Sequence, residues 1–596
     1  MDRKSIIILV ISLALLFSWP AIVSRILPPT DAPRSQTNQI GTVTNELSSH
    51  PSQSDPRPAS SAKVTSVQPA PVTPAGPEET LILEDDNARY TFTSHGGGIK
   101  FVELKRYPAT IDCRSKNATK MNGLAMLNSR ALTPALSLAG GTEIEGDGSF
   151  VLTKTPGGLR AEKVLPSGLR VLKEFRLATN YILNATIRLE NTSGQPLVVP
   201  RHELAIGTAT PIGHRDESLY LGFEWYDGEN KPKPVDAAWF ANKPLGCLPG
   251  QPRTEYVAGN SNVVWAAVYN QFFAIIATPV LSAPQIIGHQ VPLPPPTDAQ
   301  LAANSPAQQN VFGYRAALAY PGTTLGPQQQ MEHQFDIFAG PKEYFTLSRL
   351  PKNVDYVMNF GFFGFFAKAL LLSMNAIHTF VPSYGLAIIV ITVIIKLVFW
   401  PLTTASTRSM KRMAELQPQM KALQEKYKAD PAKMNQKLME FMKEHKVSPL
   451  GGCLPMLLQI PVFFAFYRML QTAIELRGAK FLWACDLSQA DTIWVIPGLN
   501  FPLNPMPLLM GATMLWQARL TPLSPGMDPV QQKIMKYMPL MFMVFLYNFS
   551  AGLTLYWTVQ NLLTIAQMKV TRAKDPAAPA KGTPVNPKAL APRKKQ

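Results

Sequence analysis

Between Tyr384 and Leu402 the sequence is apolar except for Thr392 and Lys396. Nineteen residues at about 1.5 Å each cover roughly 28 Å, the thickness of a bilayer's hydrocarbon layer. A lysine inside such a run is costly, about 2.5–3.5 kcal/mol on insertion scales, so it constrains the fold more than any other residue. The run is not isolated. Leu450–Ile474, Leu503–Ala518, Tyr537–Ser550 and Gly552–Met568 are also apolar, and Ser5–Val23 follows Arg3 and Lys4. The Leu503–Ala518 run is short and reads as interrupted by Pro505 and Pro507. A mean hydropathy of +0.01 hides this segregation and does not describe an ordinary soluble enzyme.

Charge fixes the expected orientation. The segment 403–450 holds ten basic residues against five acidic ones, and the stretch from Lys569 onward holds eight basic residues against Asp575 alone. Basic loops stay cytoplasmic. Both segments face the cytoplasm only if the aromatic stretch Tyr356–Val381 does not cross. That stretch, with Phe360, Phe362, Phe363, Phe365 and Phe366, then reads as a helix lying on the outer surface. Ser5–Val23 reads as an uncleaved signal-anchor, because the residue pairs Trp19/Ala21 and Ile22/Ser24 suit a signal peptidase poorly. Six spans result. Within 403–450, Asp430-Pro431 supplies a cap and a first-turn proline for the second arm of a helical hairpin. That hairpin reads equally as a solvated arm near anionic lipid or as a docking surface for a nascent chain or partner.

Residues 28–77 contain ten prolines and few large apolar side chains, so they read as an extended tether. From 80 to 345 the pattern changes to period two. Leu183, Ala185, Ile187 and Leu189 alternate with Asn184, Thr186, Arg188 and Glu190, and Gln334–Phe338 behaves likewise. Short alternating runs punctuated by Gly, Pro and Asn predict an antiparallel β-sandwich outside the cytoplasm.

Enzymatic motifs are absent. His95-Gly96-Gly97-Gly98 invites an oxyanion-loop reading, but no GxSxG elbow accompanies it, and a glycine turn between strands explains it better. There is no phosphate-cradling GxxxxGK[ST] and no HExxH. The four cysteines, Cys113, Cys247, Cys453 and Cys485, form no CxxC, so neither a zinc site nor any other cofactor is expected; Cys113 and Cys247 are a candidate disulfide pair.

Lys396 lies twelve residues into its run, roughly 18 Å deep, with Thr392 one turn earlier on the same face. Snorkelling is the plain explanation. Against it, Gln459, Gln517, Asn548, Gln560 and Asn561 place amides in the other runs, and no carboxylate lies mid-run. A cation among amides suggests a wet cavity rather than a proton relay. Arg468 sits near the far end of its run and reads as interfacial.

The membrane half resembles the YidC-type membrane protein insertases. The strings that carry this are Tyr384-Gly385 with Thr392, Lys396 and Pro401-Leu402-Thr403; Pro449-Leu450-Gly451-Gly452-Cys453-Leu454-Pro455; Gln459 with Pro461; Glu475-Leu476-Arg477; Asp528-Pro529 with Gln531-Gln532-Lys533-Ile534-Met535; and Gly552-Leu553 with Leu555-Tyr556. In the outer region, Phe92-Thr93-Ser94-His95-Gly96-Gly97 and Phe338-Ala339-Gly340-Pro341-Lys342 resemble the family's first periplasmic domain.

The resemblance implies a polytopic α-helical membrane protein, five core helices around a hydrophilic groove, plus an all-β periplasmic supersandwich. It implies an anchor at 1–27, a linker at 28–79, the β domain at 80–350, an interfacial helix at 351–383, the core at 384–570 and a basic cytoplasmic tail at 571–596 of an inner-membrane protein. It implies the groove residues Lys396 and Thr392, with Tyr556 and Gln459, and an apolar slide at Phe463 and Phe545. The groove cation is usually arginine; lysine keeps the charge but loses the planar fork. The aromatic after Tyr556, a tyrosine in some members, is Trp557 here. Clients would be nascent membrane proteins, with the Sec translocon, the ribosome and the lipid bilayer as partners, and no nucleic-acid recognition. The implied activity is insertion rather than catalysis. Two rival readings are an anion channel or transporter using Lys396, and a membrane-anchored carbohydrate-binding protein.

Overall fold

The computed structural model describes residues 76–111, 123–212, 220–243, 250–295, 312–445, 454–499, 501–520 and 529–574, together with Pro74. The expected anchor, the linker up to residue 73, the basic tail beyond Lys574, and Cys113, Cys247 and Cys453 lie outside these residues. Two compact units are distinguished, one comprising Met1–Ala70 with Ala238–Arg253, the other Pro71–Ala237 with Thr254–Gln596. The features below belong to the second.

Among the described residues, alternation along the chain becomes three larger antiparallel sheets and two two-stranded ones. A nine-stranded sheet runs in space from Val235–Asp236 through Gly222–Tyr226, Trp265–Tyr269, Phe273–Pro279, Gln330–Pro341, Ile182–Asn191, Leu169–Leu177 and Gly158–Val164 to Val151–Thr155. A five-stranded sheet orders Glu255–Ala258, Gln285–Pro292, Phe312–Tyr320, His202–Ala209 and Leu138–Ala139. A four-stranded sheet runs from Thr80–Glu84 to Leu124–Leu127. Leu183, Ala185, Ile187 and Leu189 are all buried, as their shared parity requires. Their register against the partner strand pairs Leu189 with Met331 and Leu183 with Ile337. The large core residues include Trp265, Phe223, Phe175, Phe335 and Tyr314.

The His95-Gly96-Gly97-Gly98 string is a turn between the strands Ala88–Thr93 and Gly98–Pro108, with φ of 74° at Gly96 and 56° at Gly97. Those angles favour glycine. The turn also has an electrostatic task. Lys173, fully buried in its strand, donates from Nζ to the carbonyls of Gly96 (2.7 Å) and Leu136 (2.8 Å) and lies over the Phe150 ring.

Burial in this carbonyl cage lowers the Lys173 ammonium pKa to about 7. The unfolded chain holds that proton until about pH 10.4, so between those limits the unfolded state binds more protons. Stability of the β-rich region should therefore rise with pH from about 7 to about 10, by up to roughly 1.4 kcal/mol per unit. Denaturant titrations of the full chain followed by tryptophan fluorescence at several pH values check this. Lys173→Met should flatten the rise, and an unchanged slope in that variant would contradict the assignment.

The C-terminal region is helical. Label its helices α1 (Gly364–His378), α2 (Tyr384–Glu415), α3 (Gln417–Lys426), α4 (Pro431–Glu444), α5 (Leu454–Thr472), α6 (Pro505–Leu520), α7 (Pro529–Phe545) and α8 (Ala551–Lys574). Asp430 caps α4, its carboxylate accepting from the Lys433 amide with Pro431 in the first turn. Helix α2 is continuous past Pro401 to Glu415, so the first arm of the expected hairpin begins as an extension of the apolar run. Pro505 and Pro507 do not interrupt a helix. They occupy the first turn of α6, where a missing N–H costs nothing, and the Asp491 carboxylate accepts from the Met506 amide at 2.7 Å. Likewise α7 starts at Pro529, eight residues before the expected Tyr537. Among the described residues only Tyr384–Pro401, with mean hydropathy 2.1, is long and apolar enough to cross a membrane by length and composition.

Helix α1 buries Ala367, Leu371 and Met374 and leaves Phe362, Phe365 and Phe366 around its start exposed. Gly385, in the first turn of α2, permits the Phe481 ring to approach; a Cβ there would lie 2.3 Å from it. Phe481 belongs to the loop after α5, in which Cys485 is disulfide-bonded, its partner lying outside the described residues.

Candidate functional site

Helices α2 and α8 each carry polar side chains four residues apart, α5 sets an amide and an aromatic ring at that interval, and four residues return a helix to nearly the same face. On α2 these are Thr392 and Lys396; on α8 they are Tyr556, Gln560 and Thr564; on α5, Gln459 precedes Phe463 by the same interval. Tertiary packing turns these stripes toward one another.

The Lys396 ammonium donates to the Thr564 hydroxyl at 2.9 Å, and Thr564 in turn donates to the carbonyl of Gln560. Lys396 is only 6 % exposed. One turn toward the start of α8, the Gln560 amide donates to the Gln459 side-chain carbonyl at 3.1 Å, and the Gln459 amide donates to the Tyr556 hydroxyl at 2.8 Å. Further along α8, Gln567 donates to the hydroxyls of Thr403 (2.7 Å) and Thr404 (3.1 Å), clamping α8 to α2. Asn561 donates to Thr513 of α6 at 3.1 Å. The result is a ladder of amides and hydroxyls beside one cation. Among the described residues no carboxylate lies within ion-pairing distance of Lys396. The ladder offers donors and acceptors to a polar chain, and its charge favours an anionic one.

The expected residues do not all share one surface. Thr392 is 1 % exposed, and its hydroxyl is spent on the Ile388 carbonyl of its own helix. Tyr556 is 2 % exposed, stacked on Phe466 with ring centroids 4.2 Å apart. It is a packing residue that presents only its hydroxyl, and that to Gln459. Trp557 packs edge-on against Phe463 (4.8 Å) and also meets Phe542. Phe545 stands apart, exposed at the end of α7 beside Val544 and Met541. Four residues of the ladder escape sequence reasoning, Thr404, Thr513, Thr564 and Gln567. For Thr564 and Gln567 the available signal is their spacing on α8, eight and eleven residues beyond Tyr556, which continues one stripe.

Residues 376–578 match the family described as 60Kd inner membrane protein, and residues 81–372 match the YidC periplasmic domain. A membrane protein insertase YidC from Geotalea uraniireducens is 32% identical, covering 95% of this chain and 98% of its own length. The chain belongs to the YidC family. A second insertase of the family, from Oleidesulfovibrio alaskensis, is 31% identical over the same shares of both chains. A crystal structure described as an active YidC insertase with the first transmembrane domain resolved is 17% identical, covers 85% of this chain and 94% of its own, and gives a TM-score of 0.33. Family membership and the all-β periplasmic domain agree with the sequence reading.

Proposed function

We propose that this YidC-family protein inserts nascent membrane proteins by drawing their hydrophilic segments toward Lys396, with the Sec translocon and the ribosome as partners. The observation that carries the reading is the Lys396–Thr564 contact beside the Gln560–Gln459–Tyr556 ladder. Six spans, cytoplasmic termini and an outward-facing 28–383 complete the proposal. The disulfide at Cys485 supports it, since structural disulfides belong to oxidising compartments. The exposed phenylalanines around α1 support a helix seated in the outer headgroup layer.

Mechanism follows from solvation. Each polar group carried into hydrocarbon without a partner costs several kcal/mol. A groove of amides and hydroxyls replaces part of the lost water, and Lys396 attracts acidic residues of the client tail. The client's apolar helix then leaves for lipid along Phe463 and the exposed edge at Met541, Val544 and Phe545. Its burial supplies the driving force at about 25 cal/mol per Å² of apolar surface. The step needs no nucleotide or metal.

Site-specific photocrosslinking to a ribosome-bound single-span client tests this reading. Probes at Phe463 and Phe545 should capture the client's apolar helix, whereas a probe at the buried Phe466 should capture none. Equal capture from all three, or none from Phe463 and Phe545, would overturn it.

A further inference from the structure

The loop between α5 and α6 packs on the starts of three helices. It meets α2 through Ser383, whose hydroxyl donates to the Lys480 carbonyl at 3.4 Å, and through the Phe481 ring against Gly385. It caps α6, where the Met506 amide donates to Asp491, and α8, where the amides of Ala551 and Gly552 donate to the carbonyls of Gln489 (2.7 Å) and Leu487 (2.9 Å). Tyr384–Pro401 of α2 suits a membrane crossing by length and composition. A loop seated on the first turn of that run lies at the edge of the hydrocarbon layer, on the oxidising side that its disulfide-bonded Cys485 favours.

Within this loop a short β-hairpin pairs the strands Trp494–Ile496 and Phe501–Leu503, with Trp494 opposite Leu503 and Ile496 opposite Phe501. Phe501 stacks on Tyr547 with ring centroids 5.1 Å apart, and the Tyr547 hydroxyl donates to the Pro502 carbonyl at 2.7 Å. The hairpin is thereby fixed to the turn between α7 and α8, two residues from the exposed Phe545. Trp494, Leu499 and about half of Phe501 stay exposed, Leu499 to 76 %.

Two features say what meets these side chains. No Asp, Glu, Lys, Arg or His occurs from Thr492 to Ala518, so the hairpin and most of α6 form one uncharged stretch. An interface with a soluble partner has a polar rim, whereas exposed Trp beside apolar residues is the composition of the membrane–water boundary. The second feature is length. Helix α6 has 16 residues. At about 1.5 Å each it covers roughly 24 Å, some 6 Å less than a hydrocarbon layer of about 30 Å. An apolar segment directly before the helix makes up that shortfall.

We propose that the hairpin 494–503 is a lipid-binding foot: Trp494, Leu499 and Phe501 seat in the headgroup–acyl boundary of the outer leaflet and hold there the loop that caps α2, α6 and α8. This rests on the membrane-spanning reading of those helices, and the test separates the two.

The test uses the full chain in vesicles of phosphatidylcholine and phosphatidylglycerol, with no client present. Leu499→Cys, Val198→Cys and Ile394→Cys each carry a fluorophore, with labelling of the unsubstituted chain subtracted. Val198, in the strand Leu197–Val199 of the β-rich region, is 69 % exposed and controls for exposure alone. Ile394 lies ten residues beyond Tyr384, about 15 Å into the run, and reports on spanning. Lipids brominated near the glycerol end of the acyl chain should quench the 499 probe at least two-fold more than the 198 probe. Trp494→Asp should cut the quenching at 499 by about half or more, since a carboxylate opposes seating in the boundary. Quenching at 499 no greater than at 198, or undiminished by Trp494→Asp, would overturn the proposal. Shielding of the 499 probe from aqueous iodide without lipid quenching would also overturn it, and would assign the surface to a second copy of the chain. A 394 probe left unquenched by lipids brominated at the chain centre would instead overturn the spanning reading.

Discussion

Lys396→Glu is expected to abolish insertion of a client with an acidic tail, while Lys396→Arg retains most of it. The ammonium contacts Thr564 and no carboxylate among the described residues, so its charge is available to a client. Two unit charges at 4 Å interact by about 4 kcal/mol at an effective dielectric near 20. Reversing the sign turns attraction into repulsion of similar size, enough to reduce insertion more than about 100-fold. Arginine keeps the charge and reaches the Thr564 hydroxyl with a longer head. Lys396→Met separates charge from bulk, because it preserves the apolar stem; insertion should fall and the helical protease pattern should survive. Thr564→Val leaves the ammonium without its acceptor and should give a smaller loss, about 1–3 kcal/mol of effective interaction. Reconstituted vesicles and a protease-protection readout of the client measure all four. Normal insertion by the Glu variant would contradict the electrostatic role.

The second large effect concerns Tyr556 and distinguishes packing from client contact. Its ring is stacked on Phe466 and its hydroxyl accepts from Gln459. Tyr556→Ala should destabilise the helical region by about 3–5 kcal/mol, the usual consequence of emptying an aromatic site. Tyr556→Phe keeps the ring and leaves the Gln459 amide short of a partner, at about 1–3 kcal/mol. A direct client contact predicts a different pattern: both variants lose insertion at unchanged stability. Thermal unfolding in detergent, run beside the insertion assay, separates the two. Loss of insertion by Tyr556→Phe with no change in unfolding would show that the hydroxyl serves the client.

What could be read from the residues follows from the range of each interaction. Alternation at Leu183–Leu189 is a local signal, and those side chains are buried. The cap at Asp430 is local too. The shared face of Thr392 and Lys396 is geometry within one helix. Facts that depend on distant segments were not legible. Spacing places Thr564 on the α8 stripe of Tyr556 and Gln560, but which member of that stripe meets Lys396 is not legible, because that choice depends on how α8 packs on α2. Tyr556 and Thr392 looked alike as polar residues in apolar runs, yet packing buries both. Pro505 and Pro507 looked like breaks because their place in the first turn depends on Asp491, fifteen residues before Met506. The anchor, linker and basic tail rest on composition alone.

The central claim is that polar client chain from the cytoplasm can reach position 396. A membrane-impermeant maleimide offered from the cytoplasmic side to Lys396→Cys, in vesicles with and without a stalled client, measures this directly. The account predicts modification in the empty protein and protection once the client is engaged. A cysteine there that stays unmodified in the empty, folded protein would contradict it.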